Sequence, residues 1–439
     1  MTDRHKIAAL IEHGVLAVND GYRAKNRELA STGIPFARAG NVNNGFHFED
    51  ADYFPEPDLH KVGVKISQLN DVVFTSKGTV GRFAMVRENT PRFVYSPQLC
   101  FWRVLDPNRL DSRFLYYWMH GYDCREQFDR VKGQTDMADY VSLRDQRNMS
   151  ITLPPIDHQR LIGRVLISLD ERIELNRETN RTLEATAQAI FKSWFVDFDP
   201  VVAKSEGRRP FGMNAKTAAF FSNLFEETVV GTLPCGWTVT TLPQLGEVNR
   251  GRSRHRPRHA PHLYGGPYPF IQTGDIKASG GRITSYNQSY SEAGLAQSRL
   301  WPAGTMCITI AATIAETGVL TFPACFPDSV VGFIPDTTKC DVYVVEYTFR
   351  QLKRQIQHEA SGSVQDNINM ATIDQTRFPF PPKPLQDAFL KVFRPINDRI
   401  VANCHEIQEL ARLRDWLLPR LLSGELRGKT AEKMLAEVT

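Results

Sequence analysis

From Pro154 to Pro200 one stripe, apolar but for two asparagines, recurs in alternating steps of four and three, at Ile162, Leu166, Leu169, Ile173, Asn176, Asn180, Leu183, Ala187, Ile190 and Trp194. That seven-residue period keeps one seam of a helix facing a partner helix. From Pro381 the pattern is written again. Pro154, Pro155, Gln159, Val165, Arg172, Ile173, Asn176 and Leu183 fall, 227 residues on and without a gap, on Pro381, Pro382, Gln386, Val392, Arg399, Ile400, Asn403 and Leu410. The second stripe runs Phe389, Phe393, Ile396, Ile400, Asn403, Ile407, Leu410, Leu417 and Leu421, with Arg414 its one charged interruption. Two helices of roughly 40 residues, each about 60 Å long, outgrow an ordinary domain but suit each other as an antiparallel coiled coil. Asn176 and Asn403 resemble the single polar seam residue that sets register. Each helix follows a globular segment, so the pair is expected to hold two globules apart like a ruler.

Elsewhere the pattern is short apolar runs broken by glycine, proline and asparagine, which is strand-and-loop territory. Residues 3–18 read as a short amphipathic helix. Ile34 to Val42, Asp71 to Thr75 and Phe93 to Tyr95 read as strands or strands entering loops, and Arg113 to Phe128 as a helix leading to Gly133-Gln134-Thr135-Asp136. A polar bridge with a short helical piece around Thr217 to Phe225 then precedes a second strand-rich segment, from about Thr228 to Phe380. It echoes the first at an offset of 234: Pro35 and its neighbours meet Pro269 and its neighbours, and Thr75 and Thr79 meet Thr309 and Thr313. Gly362-Ser363-Val364-Gln365 stands before the second helix as Gly133 to Asp136 stands before the first. The expected architecture is α+β, an internal tandem repeat of globule and long helix, divided as 1–153, 154–200, 201–380, 381–426 and a tail, 427–439.

Composition changes this picture little. At 439 residues, with 42% apolar and 23% charged residues, the chain suits two or three ordinary globular domains. Its N-terminus has no signal-like apolar run and no stretch could span a membrane, so a cytoplasmic location is expected. The seven cysteines are scattered without a Cys-x-x-Cys, which argues against a zinc ribbon and a disulfide framework. A formal net charge of +4 permits nucleic-acid binding but does not require it.

Local charge says more. Five arginines occupy Arg250 to His259 with no acid among them, a run that polyanionic phosphate would relieve; we read it as DNA contact, against the alternative of a solvated loop. Lys77, Arg82, Arg87 and Arg92 form a thinner counterpart in the first globule. Gly246 to Ser253 approaches a phosphate-cradling loop, but Arg252 stands where lysine belongs, and Pro257 and Pro261 forbid the helix such a loop requires. The same prolines remove the helical spacing that His255, His259 and His262 would need to bind a metal. Asp197 and Asp199 close a helix without flanking nuclease-type lysine or histidine, and read as a structural stop. No Asn-Pro-Pro-Tyr or Asp-Pro-Pro-Tyr stretch of an amino-methyltransferase is present, so no catalytic residue and no metal ligand is assigned.

Leu153 to Gln159 opening the first helix, Phe191 to Pro200 closing it, and Trp416 to Leu426 near the C-terminus resemble the specificity subunit of type I restriction-modification systems. The likeness spans nearly the whole chain. It departs at the two loops before the helices, which keep the family's Gly-Ser-Thr-Gln only in part, and at His158, where the family has glutamate. The resemblance implies two target-recognition domains, each reading one half of a split, asymmetric site on double-stranded DNA. It also implies that the helices set the gap and dock two methyltransferase (modification) subunits, with Trp194 and Trp416 at the helix ends as candidate docking residues. S-adenosylmethionine would then belong to the modification subunits, and ATP and Mg to the full complex with its restriction and translocase subunits; this chain would bind no cofactor. For base reading, arginine suits guanine, and glutamine or asparagine suits adenine. Candidates are Arg38, Asn41 and Lys77 in the first globule, and Arg252, Arg254, Arg256, Gln272 and Thr273 in the second. Two rival readings are a helical scaffold without DNA recognition and an autonomous DNA-modifying enzyme with unfamiliar motifs.

Overall fold

The computed structural model describes residues 3–43, 45–131, 140–255, 257, 259–311, 313–360 and 368–426, with 430 and 433. Tertiary contacts divide the chain into two compact units, Met1–Glu174 with Gln408–Thr439, and Leu175–Ile407. The loops at Gly133 to Asp136 and Gly362 to Gln365 lie outside the described residues.

In the first unit an antiparallel sheet runs in the order Leu16–Asp20, Leu99–Val104, Val72–Thr75, Phe83–Met85. Its inner strands are apolar without alternation over Leu99 to Trp102 and Val72 to Phe74, because both their faces are buried there. A smaller sheet joins Asp52–Phe54, Ile34–Ala37 and Val94–Tyr95. The helix expected over residues 3–18 is only Ile7–Glu12. Asp3–Lys6 is drawn into antiparallel pairing with Ser150–Leu153, and Gly14, at φ 67°, stops the helix before the strand at Leu16. Likewise the helix read from Arg113 to Phe128 is two, Ser112–His120 and Tyr122–Val131. At Gly121, between them, a Cβ would stand 2.6 Å from Leu422.

The second unit repeats the plan. Gly246–Arg250, Val330–Pro335, Met306–Thr309 and Thr317–Leu320 follow one another as the four strands of the first unit do, with Arg282–Ile283 added in parallel at the edge. Tyr264–Phe270 pairs with Gln288–Tyr290 as Ile34–Ala37 pairs with Asp52–Phe54. Thr238–Thr240 pairs with Phe378–Phe380 as Asp3–Lys6 pairs with Ser150–Leu153. The duplication reaches single hydrogen bonds. Thr75 Oγ1 donates to Thr79 O and accepts from Arg82 N at 3.0 Å; Thr309 Oγ1 donates to Thr313 O and accepts from Glu316 N at 3.0 Å.

Each long helix starts after a proline pair that leaves a strand, and its buried glutamine clamps that entry. Gln159 accepts from Asp111 N at 3.0 Å and donates to Pro154 O at 2.9 Å and Arg109 O at 3.3 Å. Gln386 accepts from Asp341 N at 3.2 Å and donates to Pro381 O at 2.9 Å and Lys339 O at 3.2 Å. The helices are Ile156–Phe195 and Lys383–Ser423, of 40 and 41 residues. Their stripes are buried at Leu166, Leu169, Leu410 and Leu417 and partly buried at Leu183, Ile190, Ile396 and Ile407. Within the second unit Asn180 meets Asn403 and Phe191 meets Phe389, so the helices run antiparallel there. Asn176 and Asn403 are both buried, but the amide of Asn403 donates to Asn180, at 2.8 Å, rather than to Asn176. An antiparallel seam brings together unlike levels of the two copies, so equivalent residues need not meet. Arg414, the charged interruption of the stripe, donates to Asp170 at 2.8 Å within the first unit, and Tyr117 donates to the same carboxylate at 2.5 Å.

His120 ends the helix Ser112–His120 with its ring against Phe83 and Tyr116, and its Nε2 buried without a partner among the described residues. Burial pushes its pKa down to about 4, below an unfolded value of about 6.5. Between these values the unfolded chain holds the extra proton, so stability falls as the pH falls. At pH 5 the expected loss relative to pH 7 is about 2 kcal/mol from this residue. Thermal melts of His120→Phe at the two pH values should show a correspondingly smaller loss than the wild type. An equal acid sensitivity would exclude the assignment.

Candidate nucleic-acid interface

In the first unit the candidates lie on two loops held by one residue. Gln98 accepts from Ala39 N with its side chain, at 3.1 Å, and from Ser76 N with its main-chain carbonyl, at 2.9 Å. Arg38 and Asn41 thus flank the same anchor as Lys77. Arg38 and Lys77 are exposed, as are Arg82 and Arg92 near them in sequence. Arg38 is positioned rather than loose: its Nη2 lies 2.5 Å from Asp52 Oδ2, and its guanidinium sits 5.9 Å from the ring centre of Phe36. Asn41 turns inward to the loop. Its Oδ1 accepts from Arg38 N at 2.8 Å and its Nδ2 donates to His47 O at 2.9 Å, which leaves it shaping the loop.

In the second unit the arginine-rich loop is fastened by its backbone. Arg252 N donates to Phe326 O, Ser298 Oγ donates to Arg252 O, and Gln297 Oε1 accepts from Arg254 N and His255 N. Gly251 allows the close approach, since a Cβ there would stand 2.4 Å from the carbonyls of Phe326 and Pro327. The side chains of Arg250, Arg252 and Arg254 are exposed, and among the described residues no carboxylate pairs with them. Arg256 and Arg258 lie outside the described residues. Gly246–Arg250 is a strand of the main sheet, which is not the geometry of a phosphate-cradling loop. His255 and His262 stack edge to face at 5.1 Å, and no cluster of three metal-ligating side chains occurs among the described residues.

Gln272 and Thr273 open the short helix Thr273–Ala278. Gln272 N donates to Asp275 Oδ2 at 2.8 Å, the same closure that Arg38 N makes on Asn41. The candidates Arg38 and Gln272 are therefore the same position in the two copies. Gln272 Nε2 donates to Gln288 Oε1 at 2.5 Å, as Arg38 reaches Asp52. Sequence reasoning missed Asp52 and Gln288, because nothing near them in the chain shows which strand they face. Gln272 and Arg252 do not touch among the described contacts.

The helix ends carry the other candidates. Trp194 is buried among Phe195, Phe221 and Phe389. Trp416 is 43% exposed beneath the Arg420 guanidinium at 4.3 Å. Asp197 pairs with Lys192, Asp199 accepts from Ser193 Oγ at 2.7 Å, and Phe198 between them is left-handed at φ 56°, which ends the helix there. No helix among the described residues is long and apolar enough to cross a membrane.

The sequence model of the type I restriction modification DNA specificity domain matches residues 14–185 and again 234–412. The specificity subunit of the type I restriction enzyme HindI of Haemophilus influenzae is 26% identical, over 90% of this chain and 94% of its own. That of MjaIX of Methanocaldococcus jannaschii is 22% identical over 85% and 81%. The crystal structure of the S subunit of the type I restriction-modification system of M. genitalium shares the fold with a TM-score of 0.60, at 14% identity and 96% coverage of both chains. The chain belongs to the type I restriction modification DNA specificity family and carries two tandem copies of its domain.

Proposed function

We propose that this specificity chain reads a split, asymmetric sequence on double-stranded DNA, one half with each globule, and presents it to two methyltransferase subunits seated on the long helices. The supporting observation is one loop architecture built twice with different chemistry. Arg38 beside Asp52 in the first copy answers to Gln272 beside Gln288 in the second. Two copies of one fold with unlike readers give a target without palindromy, whereas a symmetric dimer reads repeated half-sites. Exposed Lys77, Arg82 and Arg92, and Arg250, Arg252 and Arg254, supply phosphate contacts that hold each globule in register. Adenine methylation with S-adenosylmethionine falls to the modification subunits. ATP and Mg serve the restriction and translocase subunits of the full complex, which works in the cytoplasm where its DNA lies.

Co-expression with the modification subunit of the same system, in a host without adenine methylation, tests the reading through the genome-wide map of methyladenine. A motif of two defined halves around a fixed spacer is expected. An assembled, active complex that methylates without any motif would leave the scaffold reading in its place.

A further inference from the structure

We infer that Arg38 with Asp52, and Gln272 with Gln288, are one base-reading couple present in both copies of the domain, the first selecting guanine in one half-site and the second adenine in the other. This rests on the reading that the globules contact DNA, and it names the atoms that discriminate. Four observations place the couples at the same point of the fold. The reader follows two residues after a strand phenylalanine, Phe36 or Phe270. Its partner stands directly across from that phenylalanine on the neighbouring antiparallel strand, Phe36 opposite Asp52 and Phe270 opposite Gln288. The reader's main-chain N–H is closed by a side chain three residues on, Asn41 or Asp275, at 2.8 Å in both. Reader and partner lie 2.5 Å apart, between Arg38 Nη2 and Asp52 Oδ2 and between Gln272 Nε2 and Gln288 Oε1.

The chemistry follows from what each partner leaves unused. A guanidinium has five N–H donors in a rigid fork. Asp52 takes up one arm and fixes the plane, and the rest faces solvent, since both side chains are 48% exposed. A bidentate pair of N–H donors suits O6 and N7 of guanine. A carboxamide has two N–H donors and one carbonyl. Gln288 accepts one N–H of Gln272, which leaves one donor and one acceptor, the set that N7 and N6 of adenine require. Asp52 and Gln288 are positioning residues: they hold the readers in one orientation.

The test uses the assembled complex with its modification subunits and duplexes carrying the wild-type motif with each base pair changed in turn. Wild type should discriminate by about tenfold or more at the pairs read by bidentate contacts. In Arg38→Ala, discrimination should fall to near unity at a single guanine of one half-site and stay unchanged elsewhere. Gln272→Ala should do the same at a single adenine of the other half. Arg38→Gln should move the preference at its position from guanine to adenine, and Gln272→Arg should do the reverse. Asp52→Ala should blunt discrimination at the Arg38 position alone, and Asp52→Asn should restore part of it. Because Arg38 and Asp52 are half exposed, thermal midpoint and assembly are expected to hold; should Arg38→Ala not assemble, Arg38→Gln and Asp52→Asn carry the test. Equal weakening on every duplex would make Arg38 a phosphate contact and overturn the inference, as would undiminished discrimination. A wild-type complex with no base preference would bring down the recognition reading, and the couples with it.

Discussion

With seven residues added to each long helix, one heptad between Asp170 and Asn180 and one between Asn403 and Arg414, the methylated motif is expected to keep both half-sequences and widen its spacer by about three base pairs. Seven residues of helix add about 10 Å, and ten base pairs rise about 34 Å. A whole heptad is the insertion that returns the seam to its own face, so Leu166, Leu169 and Ile173 on one side and Leu410 and Leu417 on the other stay buried. Five residues in each helix would instead swing the stripe away from its partner, and that variant should fail to assemble. The readout is the methyladenine map. A heptad variant that altered either half-sequence while the spacer stayed the same would remove the helices from the role of ruler.

Glu184→Ala should destabilise the second unit by about 3–5 kcal/mol, because it breaks a buried ion pair on one side only. Arg282, 2% exposed, binds Glu184 through Nη1, the Tyr347 hydroxyl through Nη2 at 3.0 Å and Asn397 Oδ1 through Nε at 2.9 Å. Glu184 belongs to the first long helix and Asn397 to the second, so one guanidinium fastens both to the sheet edge at Arg282–Ile283. Arg350 also meets Glu184, at 2.5 Å, and pairs with the buried Glu346. Burial pushes the Glu184 carboxyl up, and Arg282 and Arg350 overcome this and hold it below the usual carboxylate range. Glu346, buried more completely, is raised despite the same two arginines. Hydrogen exchange in peptides of the second unit, followed through denaturant, measures the loss. Glu184→Leu with Arg282→Met should recover much of it, since an apolar pair leaves no uncompensated charge. A loss under about 1 kcal/mol in the single variant would show the network to be solvated and dispensable.

The helices declare themselves in the chain because a coiled-coil seam is a local rule: every third or fourth residue is apolar, and Ile162 to Trp194 and Phe389 to Leu421 follow it except at Asn176, Asn180, Asn403 and Arg414. The duplication was equally legible, down to the two threonine turns, because equal backbone turns ask for equal side chains. From these the sequence by itself determined the α+β class and the tandem plan, while the stretches Leu153 to Gln159, Phe191 to Pro200 and Trp416 to Leu426 carried the resemblance to the family. Strand against helix at the N-terminus was not legible. Asp3–Lys6 becomes a strand only because Ser150–Leu153, far along the chain, offers it hydrogen bonds. Residue types in the loops, such as arginine and glutamine, could be picked as candidate readers one at a time. Their partners could not, since Asp52 and Gln288 come beside Arg38 and Gln272 only once strand pairing has set them opposite Phe36 and Phe270. The same holds for Arg414, which breaks an apolar stripe when read along the chain and finds Asp170 only when the helices meet. Periodicity is a property of neighbours in sequence and is written there, whereas the pairing of charges and amides across strands and helices is decided by tertiary structure, where a buried polar group must find a partner wherever the fold brings one.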